Sequence, residues 1–235
     1  MLTHIQKSGQ SLLDLLFPPR CVNCQATAGW LCQNCLSQIV FITPPICQRC
    51  GTPPASGASS CNQCQHNPLQ YLDGIRSACY FEDNPIRPAI HLLKYRNHKA
   101  AAATLATILA QAYRRFELAV DVLMPVPLHP ARLRERGYNQ SELLAKALSY
   151  LLDLPVNSRA LRRIRHTKSQ MTLGFEERHQ NVAEAFACDG FTGAGQTVLL
   201  IDDVCTTGST LDACADALKK RGAAAVWGLT LAKAR

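Results

Sequence analysis

Thr197-Val198-Leu199-Leu200-Ile201-Asp202-Asp203-Val204-Cys205-Thr206-Thr207-Gly208-Ser209-Thr210-Leu211 decides how this chain is read. An apolar run ends in two acids, a turn of hydroxyls and glycine follows, and then a helical pattern begins. The apolar part predicts a buried strand over Thr197 to Asp203, whose carboxyl end faces the crevice where α/β sheets bind ligands. Gly208 lets the main chain approach an anion with no side chain between them. Amides at the start of a helix, at its positive dipole end, suit a phosphate. Thr206, Thr207, Ser209 and Thr210 add hydroxyl donors. Asp202 and Asp203 repel a phosphate and suit instead the vicinal hydroxyls of a sugar or a hydrated Mg²⁺. The stretch therefore fits a sugar 5′-phosphate. It is not a P-loop, because G-x-x-x-x-G-K-[ST] is absent.

Outward from this stretch, strands and helices alternate. Gly74 to Phe81, Asp121 to Val126 and Ala224 to Leu231 read as further strands. Pro85 to Tyr95, Ala100 to Phe116, Gln140 to Leu152 and Gly208 to Arg221 read as helices, the last closed by Gly222. The alternation predicts an α/β domain with a largely parallel sheet, spanning 71–235. Residues 2–16 carry Ile5, Leu12, Leu13, Leu15 and Leu16 and predict a short amphipathic helix within 1–17, stopped by Pro18-Pro19.

Between these parts, residues 18–70 hold eight of the chain's 12 cysteines, all in C-x-x-C pairs: Cys21/Cys24, Cys32/Cys35, Cys47/Cys50 and Cys61/Cys64. Two such pairs complete a tetrahedral Cys₄ shell, so the spacing predicts two structural zinc sites. Sequential pairing gives two tandem zinc ribbons and interleaved pairing a cross-brace. The spacing leaves both open. A module this small buries too little apolar surface to fold without metal. The ribbons are either structural only or a contact surface for nucleic acid or protein. Cys79, Cys188 and Cys214 read as core thiols, and Cys205 as a thiol in the ligand loop that could react there but is not expected to be catalytic.

Four hydrophobic residues, two acids and T-T-G-S-T resemble the phosphoribosyl pyrophosphate (PRPP) signature of type I phosphoribosyltransferases. The resemblance implies that Asp202 and Asp203 take the ribose hydroxyls, with Mg²⁺ accompanying PRPP. It implies that Thr206, Thr207, Gly208, Ser209 and Thr210 take the 5′-phosphate. Further motifs are His91-Leu92-Leu93-Lys94-Tyr95, Pro125-Val126-Pro127-Leu128-His129-Pro130, Arg165-His166-Thr167-Lys168-Ser169-Gln170 and Arg178-His179-Gln180-Asn181-Val182. With the cysteine module, they resemble the ComF family, including GntX-like proteins, over nearly the whole chain. That resemblance implies a double zinc ribbon joined to a phosphoribosyltransferase-like domain. It also implies a role in natural competence or the use of external DNA. The expected partners are PRPP, incoming single-stranded DNA and a DNA-uptake or helicase-type protein. Two other functions remain open: a phosphoribosyltransferase acting on a base with release of pyrophosphate, and a PRPP-responsive regulator without turnover.

Pyrophosphate needs cations beyond the phosphate loop. Lys94, His129 and the alternating Arg132, Arg134 and Arg136, read as a loop, are candidates, as is Arg178 in a segment placed to form a mobile hood. Arg159, Arg162, Arg163, Arg165 and Lys168 form a basic run that reads as a solvated face or an arm tracking a DNA backbone. Of the net charge of +8, residues 1–70 carry +2, with three Lys or Arg and one Asp, so the anion-binding charge lies mainly on 71–235. No apolar run reaches the length of a membrane span and residues 1–17 lack a cleavage site, so the expected compartment is the cytoplasm.

Overall fold

The computed structural model describes residues 18–54, 61, 64–65, 68–95, 98–165 and 185–234. The expected N-terminal helix of 2–16 and Arg178 in the hood lie outside them. In chain order the elements are α1 (Gln33–Leu36), β1 (Gly74–Tyr80), α2 (Ile86–Tyr95), α3 (Ala101–Arg115), β2 (Val122–Pro125), α4 (Pro130–Arg136), α5 (Gln140–Leu152), β3 (Leu161–Arg163), β4 (Phe186–Cys188), β5 (Thr197–Cys205), α6 (Ser209–Lys219) and β6 (Ala225–Lys233).

Four strands form one sheet in the order β1-β6-β5-β2, every pair parallel, as the βαβ alternation requires. Side chains alternate across it. Leu199 and Ile201 of β5 join a core with α2, α3 and α5, whereas Val198 and Leu200 join a second core with α6. α3 shows why the first core forms: Ala102, Leu105, Ala106, Leu109 and Ala112 repeat at helical spacing, and all are buried. Good helix formers fill its length, and Arg114 and Arg115 sit in its last turn, where the dipole favours cations. β3 and β4 pair antiparallel in a separate ribbon beside α6.

β5 runs two residues beyond the expected Asp203. Val204 and Cys205 stay in register with Ala232 and Lys233 of β6, which is itself longer than its sequence pattern. On its other side the pairing stops earlier, with Pro125 opposite Ile201. The two neighbours of β5 thus part company at Asp202.

The outer edge of β1 is covered by the cysteine module. Phe41 bridges Cys79 in antiparallel fashion, Ile42 N–H donates to Ala78 O at 2.9 Å, and Tyr80 N–H donates to Val40 O at 3.0 Å. No described helix is long and apolar enough to cross a membrane.

Candidate functional site

The two acids at the end of β5 have different surroundings. Asp203 is buried, with 3% of its surface exposed. Its Oδ2 meets Lys94 Nζ at 2.6 Å, and its Oδ1 accepts from Val204 N–H at 3.0 Å. Asp202 is half-buried where the two neighbours of β5 part. Its Oδ1 accepts from Ser141 Oγ at 2.7 Å and from Asp203 N–H at 2.9 Å. Burial, then the Asp203 charge, pushes the Asp202 carboxyl up to about 7, against the Ser141 bond and the Lys94 charge. Burial works against the Lys94 ammonium, but the charge and hydrogen bond of Asp203, with Asp202 behind it, hold its pKa above the ordinary value. Lys94, read from the sequence as a pyrophosphate contact, here has its ammonium engaged by Asp203.

The start of α5 is built to meet Asp202. Asn139 caps the helix by accepting from Ser141 N–H at 3.1 Å, and its Nδ2 donates to Val126 O at 2.9 Å. The cap fixes the helix end on the chain leaving β2 and brings the Ser141 hydroxyl to the acid. The sequence reading gives neither Asn139 nor Ser141 a role in the site. The Asn-x-Ser step before a helical run was the available signal.

After β5 the chain turns through Thr206–Gly208 into α6. Gly208 has φ of +89° and is packed against the domain: a Cβ there would lie 2.7 Å from Ile75 Cδ1 and 3.1 Å from Leu69 Cδ2. The hydroxyls of Thr207 and Ser209 lie 2.7 Å apart, and Ser209 N–H donates to Thr207 Oγ1. Asp212, in the first turn of α6, is buried and accepts from three main-chain amides, those of Gln70, Tyr71 and Leu72, at 3.2, 2.9 and 2.9 Å. The stretch leading out of the cysteine module is thereby fixed to the helix that carries the loop. Burial raises the Cys205 thiol, against the charge of Lys233, so its thiolate is disfavoured beside the loop.

The arginines after β2 lie on a helix and not on the expected loop. His129 caps α4 through Nδ1, which accepts from Ala131 N–H at 3.2 Å, Pro130 occupies the first turn, and Gly137 ends the helix with φ of +76°. Capping thus overrides a sequence with no apolar stripe. Helical spacing puts Arg132 and Arg136 on one face, with Arg134 exposed on another. The Arg136 guanidinium donates to Gln140 Oε1 and lies 5.2 Å from the Tyr95 ring centre.

Arg163 also departs from the solvated-run reading. Strand alternation sends Arg162 outward to Asp189, while Arg163 is half-buried with its guanidinium 5.4 Å from the Phe186 ring centre. Burial and the Arg132 charge lower its pKa, against the charges of Cys214 and Asp202. A period of two over three residues was the only signal that Arg163 points inward.

The eight paired cysteines form two clusters, Cys21/Cys24/Cys32/Cys35 and Cys47/Cys50/Cys61/Cys64, each with its sulfurs within 4.8 Å of one another. Pairing is sequential, and the cross-brace is excluded. A Zn–S bond of about 2.3 Å demands sulfurs about 3.8 Å apart in a tetrahedron. Observed separations include 3.5 Å for Cys24–Cys32 and 3.8 Å for Cys47–Cys64. Burial raises the Cys21 and Cys47 thiols, but main-chain amide donors outweigh it and hold each at about 6. Both donor sets fit a structural zinc ion.

Comparison with known proteins agrees with this division. A double zinc ribbon family model matches residues 12–65, and a phosphoribosyl transferase domain model matches residues 91–234. Competence protein F of Haemophilus influenzae is 33% identical, covering 91% of this chain and 97% of its own length. The DNA utilization protein YhgH of Escherichia coli is 33% identical, covering 90% and 96%. Competence protein ComFC of Bacillus subtilis is 27% identical, covering 83% and 80%. Among solved structures, orotate phosphoribosyltransferase from Aeropyrum pernix aligns with a TM-score of 0.39 at 18% identity, covering 67% of this chain and 68% of that one.

Proposed function

This chain belongs to the ComF family, a double zinc ribbon joined to a phosphoribosyltransferase-like domain, and on that premise we propose that it binds PRPP and handles incoming single-stranded DNA in competence or the use of external DNA. One observation carries the ligand reading. A half-buried carboxylate, a left-handed glycine turn and the start of an 11-residue helix meet at the open end of β5. The 5′-phosphate would sit on the amides and hydroxyls of Thr206–Thr210, where the dipole of α6 favours it. The ribose hydroxyls would lie at Asp202, with Asp203 neutralised from behind by Lys94. Arg132, Arg136 and Arg163 would face the pyrophosphate with bidentate forks. Mg²⁺, when bound with PRPP, would neutralise its pyrophosphate oxygens. The names of the relatives support the DNA-related half of the reading.

A second reading is favoured by the Asp202 carboxyl held at about 7, near the pKa that proton transfer at neutral pH needs. There the chain would move the phosphoribosyl group from pyrophosphate, which leaves, to the nitrogen of a base, with Asp202 taking the proton that the nitrogen loses. Pyrophosphate release over a panel of bases separates the two readings.

The test of the first is titration calorimetry with Mg·PRPP on the native chain and on Asp202→Asn with Asp203→Asn. Losing hydrogen bonds to charged groups weakens binding roughly 10- to 100-fold, and transformation should fall with it. Wild-type PRPP affinity in the double variant overturns the site, and wild-type transformation without PRPP binding overturns the coupling.

A further inference from the structure

A cleft of about 620 Å³ lies away from the PRPP crevice, between the first cysteine cluster and α2. Arg20, Trp30, Arg87, His91, Leu92 and His98 line much of it, and the described lining includes no carboxylate. Arg20, Arg87, His91 and His98 are exposed, and Trp30 is half-buried. The Trp30 and His98 rings are 4.9 Å apart between centroids and tilted by 54°.

From the cleft a row of exposed side chains continues along α2. Arg87, His91 and Tyr95 recur at every fourth residue, so they form one row with steps of about 6 Å along the helix axis. His91 and Tyr95 have ring centroids 4.7 Å apart. Tyr95 is 63% exposed, and its ring is approached by the Arg136 guanidinium from α4. Cations and flat rings thus alternate from Arg20 and Trp30 at the ribbon, through Arg87 and His91, to Tyr95 and Arg136 beside the PRPP crevice. Lys94 turns away from this row to Asp203.

This alternation matches a polymer with a charged backbone and stackable faces. Guanidinium groups take phosphates, and indole, imidazole and phenol rings take bases of any sequence. A duplex hides its base faces, whereas a single strand offers them at steps comparable to those along α2. We propose that the cleft and the exposed row on α2 form a track for single-stranded DNA, with a base stacked on Trp30 and phosphates on Arg20 and Arg87. The proposal rests on the DNA-handling reading above and gives it a surface. The track is composite, because Arg20 and Trp30 come from the weakly charged zinc module and the rest from the α/β domain. It also delivers the strand towards the PRPP crevice.

The experiment is fluorescence anisotropy of a labelled oligothymidylate with the full-length, zinc-loaded chain, beside Mg·PRPP calorimetry. The wild-type chain should prefer the single strand to a duplex of equal length. Trp30→Ala should weaken binding at least about fivefold, the low end for a lost base stack. Arg87→Glu should weaken it as much and reduce its salt dependence. Both variants should keep the Mg·PRPP isotherm and zinc content. Photocrosslinking of an iodouracil-containing single strand to the wild-type chain reads the same surface without a variant, and crosslinks should map to Trp30, His91 or Tyr95. Wild-type affinity in both variants, or crosslinks only elsewhere, overturns the track while the DNA-handling reading stands. No binding by the wild-type chain overturns both.

Discussion

The two cysteine clusters have the same ligands and opposite relations to the rest of the molecule. The second is joined to the α/β domain through its main chain. Arg49 O accepts from Ile75 N–H at 2.7 Å, Gln48 O accepts from Arg76 Nη1 at 3.0 Å, and Cys50 O accepts from Lys233 Nζ at 3.2 Å. Arg49 also donates to Leu69 O at 2.6 Å. Leu69 and Ile75 are the side chains against which Gly208 packs, so one layer of side chains separates this cluster from the turn that leads into α6. Burial lowers the pKa of the Arg76 guanidinium, while the charges of Cys47 and Cys50 support it, and in turn it offsets the negative charge of a four-thiolate shell. The first cluster rests on the domain through the side chains of Val22, Leu31 and Leu36, leaves Cys24 exposed, and borders the open cleft. Identical ligand sets thus have two settings: one backs the turn that leads into α6, and the other borders a cleft.

The most severe challenge to that contrast is to remove one ligand from each cluster. Cys50→Ser should abolish Mg·PRPP binding along with one zinc, because the backing of Gly208 is lost. Cys24→Ser should release the other zinc, leave the PRPP isotherm within about twofold, and weaken oligothymidylate binding. Elemental zinc analysis with calorimetry checks both, and equal damage to PRPP binding from the two variants would erase the distinction.

Next in size is the attachment of the second cluster to α6. Asp212→Ala leaves the amides of Gln70, Tyr71 and Leu72 without their acceptor. At about 1–3 kcal/mol for each buried donor left unmade, with partial rescue by water, stability should fall by about 3 kcal/mol. Urea unfolding measures it, and a loss under about 1 kcal/mol would show that the clasp does not hold the module.

The last test reads a pH slope at the acid that neither cluster touches. The folded chain holds the Asp202 proton up to about pH 7, against an ordinary value of 3.8. The folded state therefore binds more protons than the unfolded state between those values. Its ligand-free stability should decline as pH rises through that window and level off above it. Asp202→Asn should remove that component of the slope while both clusters keep their zinc. A slope unchanged in the variant assigns the titration to another group.

Much of this was legible in the sequence. The run from Thr197 to Leu211 announced strand, acids, turn and helix, because each rests on local chemistry. The span of α5 matched its apolar periodicity from Gln140 to Leu152. The C-x-x-C pairs gave the ligands of both clusters but not their sequential pairing, which only distance settles. What was missed depends on short elements or distant partners. α4 has seven residues and no buried side chain, so its periodicity was silent and only its caps could betray it. β3 has three residues, too few to show that Arg163 points inward. Nothing near Asp212 in the sequence signals its role, since the amides it holds lie some 140 residues earlier.

The strand order also constrains how the molecule is made. β1 finds its parallel neighbour in β6, and Ser77 on β1 bonds Thr230, 153 residues later. A ribosome must deliver almost the whole described chain before β1 is flanked on that side. Its other side is met at once by residues 40–42, between the two clusters. During synthesis, metal capture closes one edge of a strand whose other edge must wait. Zinc starvation would expose both edges of nascent chains together, and edge-to-edge aggregation would follow.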